Sequence, residues 1–455
     1  MRRPIPRGLL TLCLAAGLPT SVLAQSTPAS TAPPATAASA PAPASSAGQV
    51  DLDDIRLFSR VYTIAKQAYV EKLDDATLMK AAISGMLAGI DPHAEFLDKQ
   101  GLQDLDEDTT GQYSGLGIEV LEDDGQLRIV TPIDDTPAAR AGIKPGDTIL
   151  KIDGTLITDD NLDAMYKRLR GKPGSKITLT ILHAGSDQPV DMRLTRETIN
   201  VSSVKLRQLE PGYVYIRIAQ FQDDTAPDLE KKLGDYIDKH GAPKGAVLDL
   251  RSNPGGLLTA AVGVADDLLD GGIIVTTRGR LPDSNLSFSA HPSGDLLKGA
   301  PMVVLVDNGT ASAAEILSGA LKDNHRALLV GQRTFGKGVV QTVIPLDADH
   351  AVKITTARYY TPDGTSIQAE GITPDIALGN LKASKTGAAP ALINSEADLP
   401  NHLPNQNADA SVASGAASAA DAKLATQDYA LAQALNVLKG LVLSRATGTA
   451  PAAVR

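Results

Sequence analysis

Three short stretches of this 455-residue chain each close an apolar run with residues able to take part in bond making. VLDLRSNPGG (Val247 to Gly256) ends a strand-like run in an Asn-Pro-Gly-Gly turn, whose glycine amides can approach a ligand closely. MVVLVDNGTASAAEI carries Ser312 where a strand gives way to an alanine-rich helix. VGQRTFGKGVVQT places Lys337 between two glycines, with Gln341 four residues later.

A serine hydroxyl attacks a carbonyl only when something takes its proton, and no histidine has an obvious claim to that role. A neutral lysine amine can serve if burial lowers its pKa toward neutrality. Lys337 has apolar flanks and no adjacent acid. Gln341, on the same side of a regular strand, would accept a hydrogen bond from the amine without adding charge. An oxyanion needs preorganised amides, and the N–H of Ala313, with that of Gly255 or Gly256, is suitable. Ala311, Ala313 and Ala314 leave room for a substrate backbone. A plainer reading stands beside this one: Ser312 as a helix N-cap and Gly-Lys-Gly as a solvated turn. Thr310 suits the cap better than Ser312, Ser318 lies too far along the helix, and nothing around Ser252 offers a base.

The elements that must position these residues belong to several domains, since the chain is too long for one core. Apolar residues make up 43% but aromatics only 3%, with no Trp, so the cores rely on Leu, Ile, Val and Ala. A net charge of -10 argues against a general nucleic-acid partner. Residues 1–24 read as an export signal: MRRPIPR, then the short apolar GLLTLCLAAGL, then VLA before Gln25. The expected location is the periplasm, soluble or peripherally associated with the membrane. Cys13, the only cysteine, falls in that signal, so no disulfide, zinc thiolate or cysteine nucleophile is expected beyond it. No two histidines sit at metal-ligand spacing, and neither metal nor cofactor is expected.

Residues 25–49 are an uncharged Pro/Ala/Ser/Thr tether, expected to be disordered. Residues 50–105 read as a helical segment, with Leu57, Val61, Ile64, Ala65 and Ala68 on one face. Its second helix, ATLMKAAISGMLAGI, is apolar all round and suits packing against another domain or a second copy of the chain. Residues 381–424 are an Ala/Ser/Asn-rich linker, and a last helix lies in 425–455. The N-terminal and C-terminal helices together are the expected homo-oligomer contacts.

Between these, residues 106–198 alternate as hairpins. GLGI (Gly115 to Ile118) opens one of them, and its glycines let successive N–H groups converge on an anion such as a carboxylate. A free edge on the following strand would let an extended peptide add there. Leu162, Met165, Tyr166 and Leu169 recur at helical spacing as a candidate second wall. GLGI alone is also an ordinary glycine hairpin. The longer run GLGIEV, VTPIDDTPAARAGIKPGDTILKIDG and RGKPGSKITLTI resembles a PDZ domain of the bacterial peptidase type. That resemblance implies recognition of apolar C-terminal tails, with Leu116, Gly117 and Ile118 offering the carboxylate-binding amides.

Residues 199–380 alternate strands and helices, an α/β pattern with largely buried strands. Together with the PDZ-like window, SGMLAGIDPHAEFLD, VLDLRSNPGGLL, VDNGTASAAEILSGALKDNHRALLVG, RTFGKGVVQT and YYTPDGTSIQAEGITPDI resemble the carboxyl-terminal processing peptidases, or tail-specific proteases. The resemblance implies a multidomain α/β (α+β) fold, with the PDZ domain inserted before a serine-peptidase core. It places the nucleophile on Ser312, the base on Lys337, the orienting glutamine on Gln341 and the oxyanion hole on Ala313 with Gly255 or Gly256. Ala314 departs from the more usual serine. Expected partners are proteins or peptides with free apolar C-termini, together with an adaptor or activator protein. Two rival readings are an inactive tail-binding scaffold, against which the intact Ser312, Lys337 and Gln341 argue, and an esterase or amidase on the same dyad.

Overall fold

The computed structural model describes residues 50–123, 125–379, 395–399, 401–405 and 428–446. The expected export signal, Cys13, the 25–49 tether and most of the 381–424 linker lie outside the described residues. Helix α1 (Leu52–Ala68) is a unit by itself. Asp51 caps it by accepting the Asp53 N–H, and its stripe of Leu57, Val61 and Ile64 is exposed.

The larger unit opens with α2 (Asp75–Ala88), β1 (Glu95–Leu97) and α3 (Lys99–Thr110). Asp74 and Asp98 cap the two helices through their carboxylates, satisfying first-turn N–H groups. Helix α3 runs across residue 106, where the PDZ module was expected to begin; KQGLQDLDEDTT is too polar to announce a helix by periodicity. A two-stranded neck follows, β2 (Gln112–Gly115) paired with β9 (Glu197–Asn200), and it brings the two ends of the inserted module together.

Inside that neck, β3 (Ile118–Asp123), β4 (Gln126–Pro132), β5 (Thr148–Ile152), β7 (Lys176–Leu182) and β8 (Val190–Thr195) form one antiparallel sheet in that order. Strand β6 (Thr155–Leu156) pairs with β5; α4 (Pro137–Arg140) and α5 (Leu162–Leu169) complete the module. Alternate residues of β7 (Ile177, Leu179, Ile181) point into a core shared with Leu127, Ile129, Ile149 and Ile152. Strand β3 ends the sheet and has no second neighbour among the described residues.

The remaining chain builds a six-stranded sheet in the order β10 (Val204–Glu210), β11 (Tyr213–Ile218), β12 (Gly245–Asp249), β15 (Met302–Val306), β16 (Leu328–Gly331) and β19 (Ile376–Ala377). Only β10 runs antiparallel. Helices α6 (Thr225–His240), α7 (Leu258–Leu268) and α8 (Ala313–Asp323) bury one face. Helix α9 (Tyr429–Ala446) covers the other, with Ala434 and Leu438 against Val247, Val303 and Leu305. Strands covered on both faces carry no polar alternation, which is why GAVLD and MVVLV are wholly buried. A second sheet joins β1, β18 (Ala351–Tyr360), β13 (Ile273–Gly279) and β14 (Ser287–Ser289), with β17 (Val339–Pro345) on β18. The three chemistry-bearing segments follow β12, β15 and β16, at the carboxyl ends of parallel strands, where α/β sheets hold their ligands.

Candidate active site

Between β15 and α8 the chain turns sharply. Asp307 accepts the N–H groups of Ser252 (2.7 Å) and Gly309 (3.0 Å), which ties this turn to the one after β12. Thr310, expected to cap α8, does something else. It is buried, and its hydroxyl donates to the Leu250 carbonyl (2.8 Å), a second tie between the same two turns. Ser312 itself occupies the N-cap position, with φ 56° and ψ -119°. A non-glycine residue at positive φ is strained and persists only where its surroundings hold it.

One residue does most of that holding. Glu315, in the first turn of α8, is fully buried. Its carboxylate accepts the N–H of Ser312 (2.8 Å), Gly336 (2.8 Å) and Lys337 (2.9 Å), and also the Thr334 hydroxyl. Burial pushes its pKa up to about 7, while these four donors pull the other way. The main chains of the candidate nucleophile and the candidate base are therefore bound to one side chain.

Lys337 is half-buried, and desolvation lowers its pKa; nearby Glu396 opposes that shift. Gln341 lies on β17 just past a bulge, opposite Thr355, to whose hydroxyl its Nε2 donates at 2.6 Å. Its Oε1 is buried without a partner among the described residues, a free acceptor of the kind an orienting glutamine needs. Tyr359, fully buried on β18, donates to the Lys337 carbonyl (2.6 Å), and its hydroxyl lies 3.0 Å from Ser312 Oγ. Burial raises its pKa far above the usual range, so it remains a neutral phenol. Among the described residues no hydrogen bond joins Ser312 Oγ to Lys337 Nζ.

The turn after β12 approaches Ser312 from the other side. A Cβ on Gly255 (φ +103°) would stand 2.8 Å from Ser312 Cβ and 3.0 Å from Ala313 N. A Cβ on Gly256 would stand 2.1 Å from the Phe221 carbonyl oxygen. Both contacts exclude a side chain. The two glycines differ in their amides: Gly255 N–H donates to Asn253 Oδ1 (2.9 Å), whereas Gly256 N–H has no partner among the described residues. Ala313 N–H, at the start of α8, is free in the same sense. Two unspent amides beside a strained serine are the donors an oxyanion requires.

The inserted module supplies a groove. Gly117 has φ +73°, and a Cβ there would meet Thr136 Cβ at 2.3 Å. The N–H groups of Leu116 and Gly117 have no partner among the described residues. A cavity of about 740 Å³ runs along Leu116, Gly117 and Ile118, with Tyr166, Leu169 and Arg170 of the α5 end as its wall, and reaches Val204 and Lys205 of the core. Leu162 and Met165 do not line it. They are buried in the module's own core, because the stripe at helical spacing is turned inward there.

Sequence patterns point to Ser312, Lys337, Gln341 and the two glycines but pass over Glu315 and Tyr359. Glu315 stands three residues after Ser312, a capping-box spacing that is a visible signal for a carboxylate reaching back.

Three parts of the chain match known families: peptidase family S41 over residues 212–378, a PDZ domain over 114–194, and the N-terminal domain of the activating protease CtpB over 22–101. A carboxy-terminal-processing protease of Bartonella bacilliformis is 42% identical over 386 residues, which is 84% of this chain and 88% of that protein. The carboxy-terminal processing protease CtpA of Bacillus subtilis is 36% identical over 319 residues, covering 70% and 67%. Among solved structures, a photosystem II D1 C-terminal processing protease is 32% identical, covers 72% of this chain and 94% of its own, and aligns with a TM-score of 0.42.

Proposed function

The chain belongs to peptidase family S41, among the carboxy-terminal processing proteases, and we propose that its PDZ domain takes hold of protein C-terminal tails while Ser312 and Lys337 cut the chain. The observation that carries the assignment of these two residues is the Glu315 carboxylate, which binds the main chain of both. The neutral Lys337 amine takes the Ser312 proton as Oγ bonds to the scissile carbonyl carbon. The electron pair displaced onto oxygen is held by the N–H groups of Gly256 and Ala313. The Lys337 ammonium then protonates the leaving amine as the C–N bond breaks; Lys337 next takes a proton from water as its oxygen bonds to the ester carbonyl carbon, and returns that proton to Ser312 Oγ as the C–O bond breaks. Gln341 Oε1 orients the amine. To enter this sequence, Ser312 Oγ exchanges its contact with Tyr359 for one with Lys337. An inactive tail-binding scaffold finds no support, since Ser312, Lys337 and Gln341 are all present and the relatives are named as proteases.

The export signal read in residues 1–24 supports a periplasmic enzyme. The exposed apolar stripe of α1, with Met79, Met86 and Ile90 exposed in and after α2, supports a homo-oligomer formed through the N-terminal helices. Helix α9 has spent Ala434 and Leu438 on the core, which leaves it less to offer a second copy. An adaptor or activator protein is a further partner under this reading.

The test pairs the mature chain with Ser312→Ala on an unfolded protein bearing an apolar C-terminus, with and without a C-terminal amide. Cleavage by the parent alone, reduced by the amide, is expected. Equal cleavage by both proteins would remove Ser312 from the mechanism, and indifference to the amide would remove carboxylate capture.

A further inference from the structure

Residues 395–399 follow the peptidase core in sequence, yet Glu396 packs against the loop that carries Lys337. Glu396 N–H donates to the Phe335 carbonyl (2.9 Å), two residues before Lys337. The Glu396 side chain is fully buried. Its Oε1 accepts from Gln368 Nε2 (3.1 Å), and Gln368 Oε1 in turn accepts the Gly338 N–H (2.7 Å), so the contact closes on the other flank of Lys337. The same oxygen lies 2.7 Å from His93 Nε2, in the Asp-Pro-His turn after α2. Its Oε2 is buried without a partner among the described residues. A buried carboxylate with an unspent oxygen is costly, and nothing in the cleavage chemistry uses it.

We propose that residues 395–399 form an internal restraint on the peptidase, in which the Glu396 carboxylate, seated between His93 and the Lys337 loop, holds the base in its charged form. This rests on the assignment of Ser312 as nucleophile and Lys337 as base. An acid beside a lysine stabilises the ammonium, and an ammonium cannot take the serine proton. The charged groups facing Lys337 are Glu396, Asp91 from the turn after α2, Glu315 from α8 and Lys353 from β18; Glu396 is the strongest of them in favour of the ammonium. Tyr359 stays neutral, and His93 faces Glu396 from the opposite side. Removing that carboxylate takes away the strongest of these charges and leaves burial opposed by Asp91 and Glu315 alone.

The test measures the rate at which a fluorophosphonate labels Ser312 of the full chain across pH, which needs no tail recognition. Glu396→Gln keeps the size and the contacts to His93 and Gln368 and removes the charge. Its acid limb should move to lower pH, with labelling about tenfold faster on that limb, the equivalent of roughly one pKa unit. Glu396→Met, apolar and of similar volume, should shift it the same way and gives a second reading if the glutamine disturbs folding, which thermal melting reports. An unmoved limb in the folded variants, or slower labelling at every pH, overturns the restraint. Equal labelling of Ser312→Ala and the parent overturns the nucleophile assignment and the restraint with it, and only that control distinguishes the two failures.

Discussion

Glu315 turns back along α8 and accepts the main-chain N–H of Ser312 at 2.8 Å, inside the first turn of the helix whose N-cap is Ser312. The same carboxylate binds Lys337 N–H, so it ties together the proposed nucleophile and the proposed base, which stand on different loops. Glutamine in its place presents one acceptor and one donor where the site offers only donors. Glu315→Gln should lower kcat at least a hundredfold, with a smaller change in KM for peptides. It should also change the pH dependence of stability. Burial holds the Glu315 pKa near 7 against an ordinary 4.5, so across that window the folded chain keeps a proton that the unfolded chain releases. Stability therefore falls as pH rises through the window, by on the order of 3 kcal/mol. Denaturant titrations at pH 5 and pH 7.5 should show a flatter slope for Glu315→Gln; an unchanged slope would mean that Glu315 is ionised throughout.

The base sets the pH profile of the enzyme. As the proposed base Lys337 would work when neutral, and its burial lowers the pKa from the ordinary lysine value. Activity should rise with pH and reach half its plateau below the range of an exposed lysine. Lys337→Arg keeps the positive charge but cannot give up a proton near neutral pH, so kcat should fall at least a thousandfold with no compensating shift of the profile. A flat profile from neutral to mildly alkaline pH would rule out a lysine base.

Legibility in the sequence followed physical constraint. GAVLD and MVVLV announce central strands because a sheet covered on both faces leaves no polar alternation to confuse them. Strand β10 is harder to see in the sequence: VKLRQLE sits at a sheet edge and is only partly buried. Ser312, Lys337 and Gln341 stand out because their residue types are unusual after apolar strands. Glu315 does not, since an acid in a first helical turn is commonplace, and its four donors come from loops that sequence distance hides. Thr310 and Ser312 both precede the helix, and what keeps Thr310 from capping it is Leu250, sixty positions earlier in the chain, whose carbonyl claims the Thr310 hydroxyl.

Asn253 decides which glycine amide remains for the proposed oxyanion hole. It is fully buried; its Oδ1 accepts the Gly255 N–H, its Nδ2 donates to the Ile218 carbonyl (3.0 Å), and its own carbonyl accepts the Ala311 N–H (2.9 Å). Asn253→Asp keeps the acceptor for Gly255, loses the donor to Ile218 and sets a negative charge beside a developing negative charge. The kcat should drop at least a hundredfold, within the range seen when an oxyanion donor is lost, while tail affinity measured by peptide binding should stay within twofold. A loss confined to peptide affinity would place Asn253 outside the oxyanion site.

The α5 helix separates groove from core within one stripe. Tyr166 is 46% exposed and lines the cavity beside Gly117, whereas Leu162 and Met165 are 8% and 4% exposed inside the module. The two classes should fail differently. Tyr166→Ala removes groove wall and should raise KM for a tailed substrate severalfold, with kcat, Tm and fluorophosphonate labelling nearly unchanged. Leu162→Ala leaves a core cavity and should cost about 2 to 4 kcal/mol of the module's stability. Gly117→Ala combines the two faults, because its Cβ would collide with Thr136 at 2.3 Å and its φ of +73° is strained for a residue with a side chain. It should abolish binding of an apolar tail peptide while Ser312 still reacts with the probe. Calorimetry with a free-acid peptide and its amide, run on all three variants, makes the comparison. If Tyr166→Ala binds the tail as the parent does, the peptide does not lie between β3 and α5.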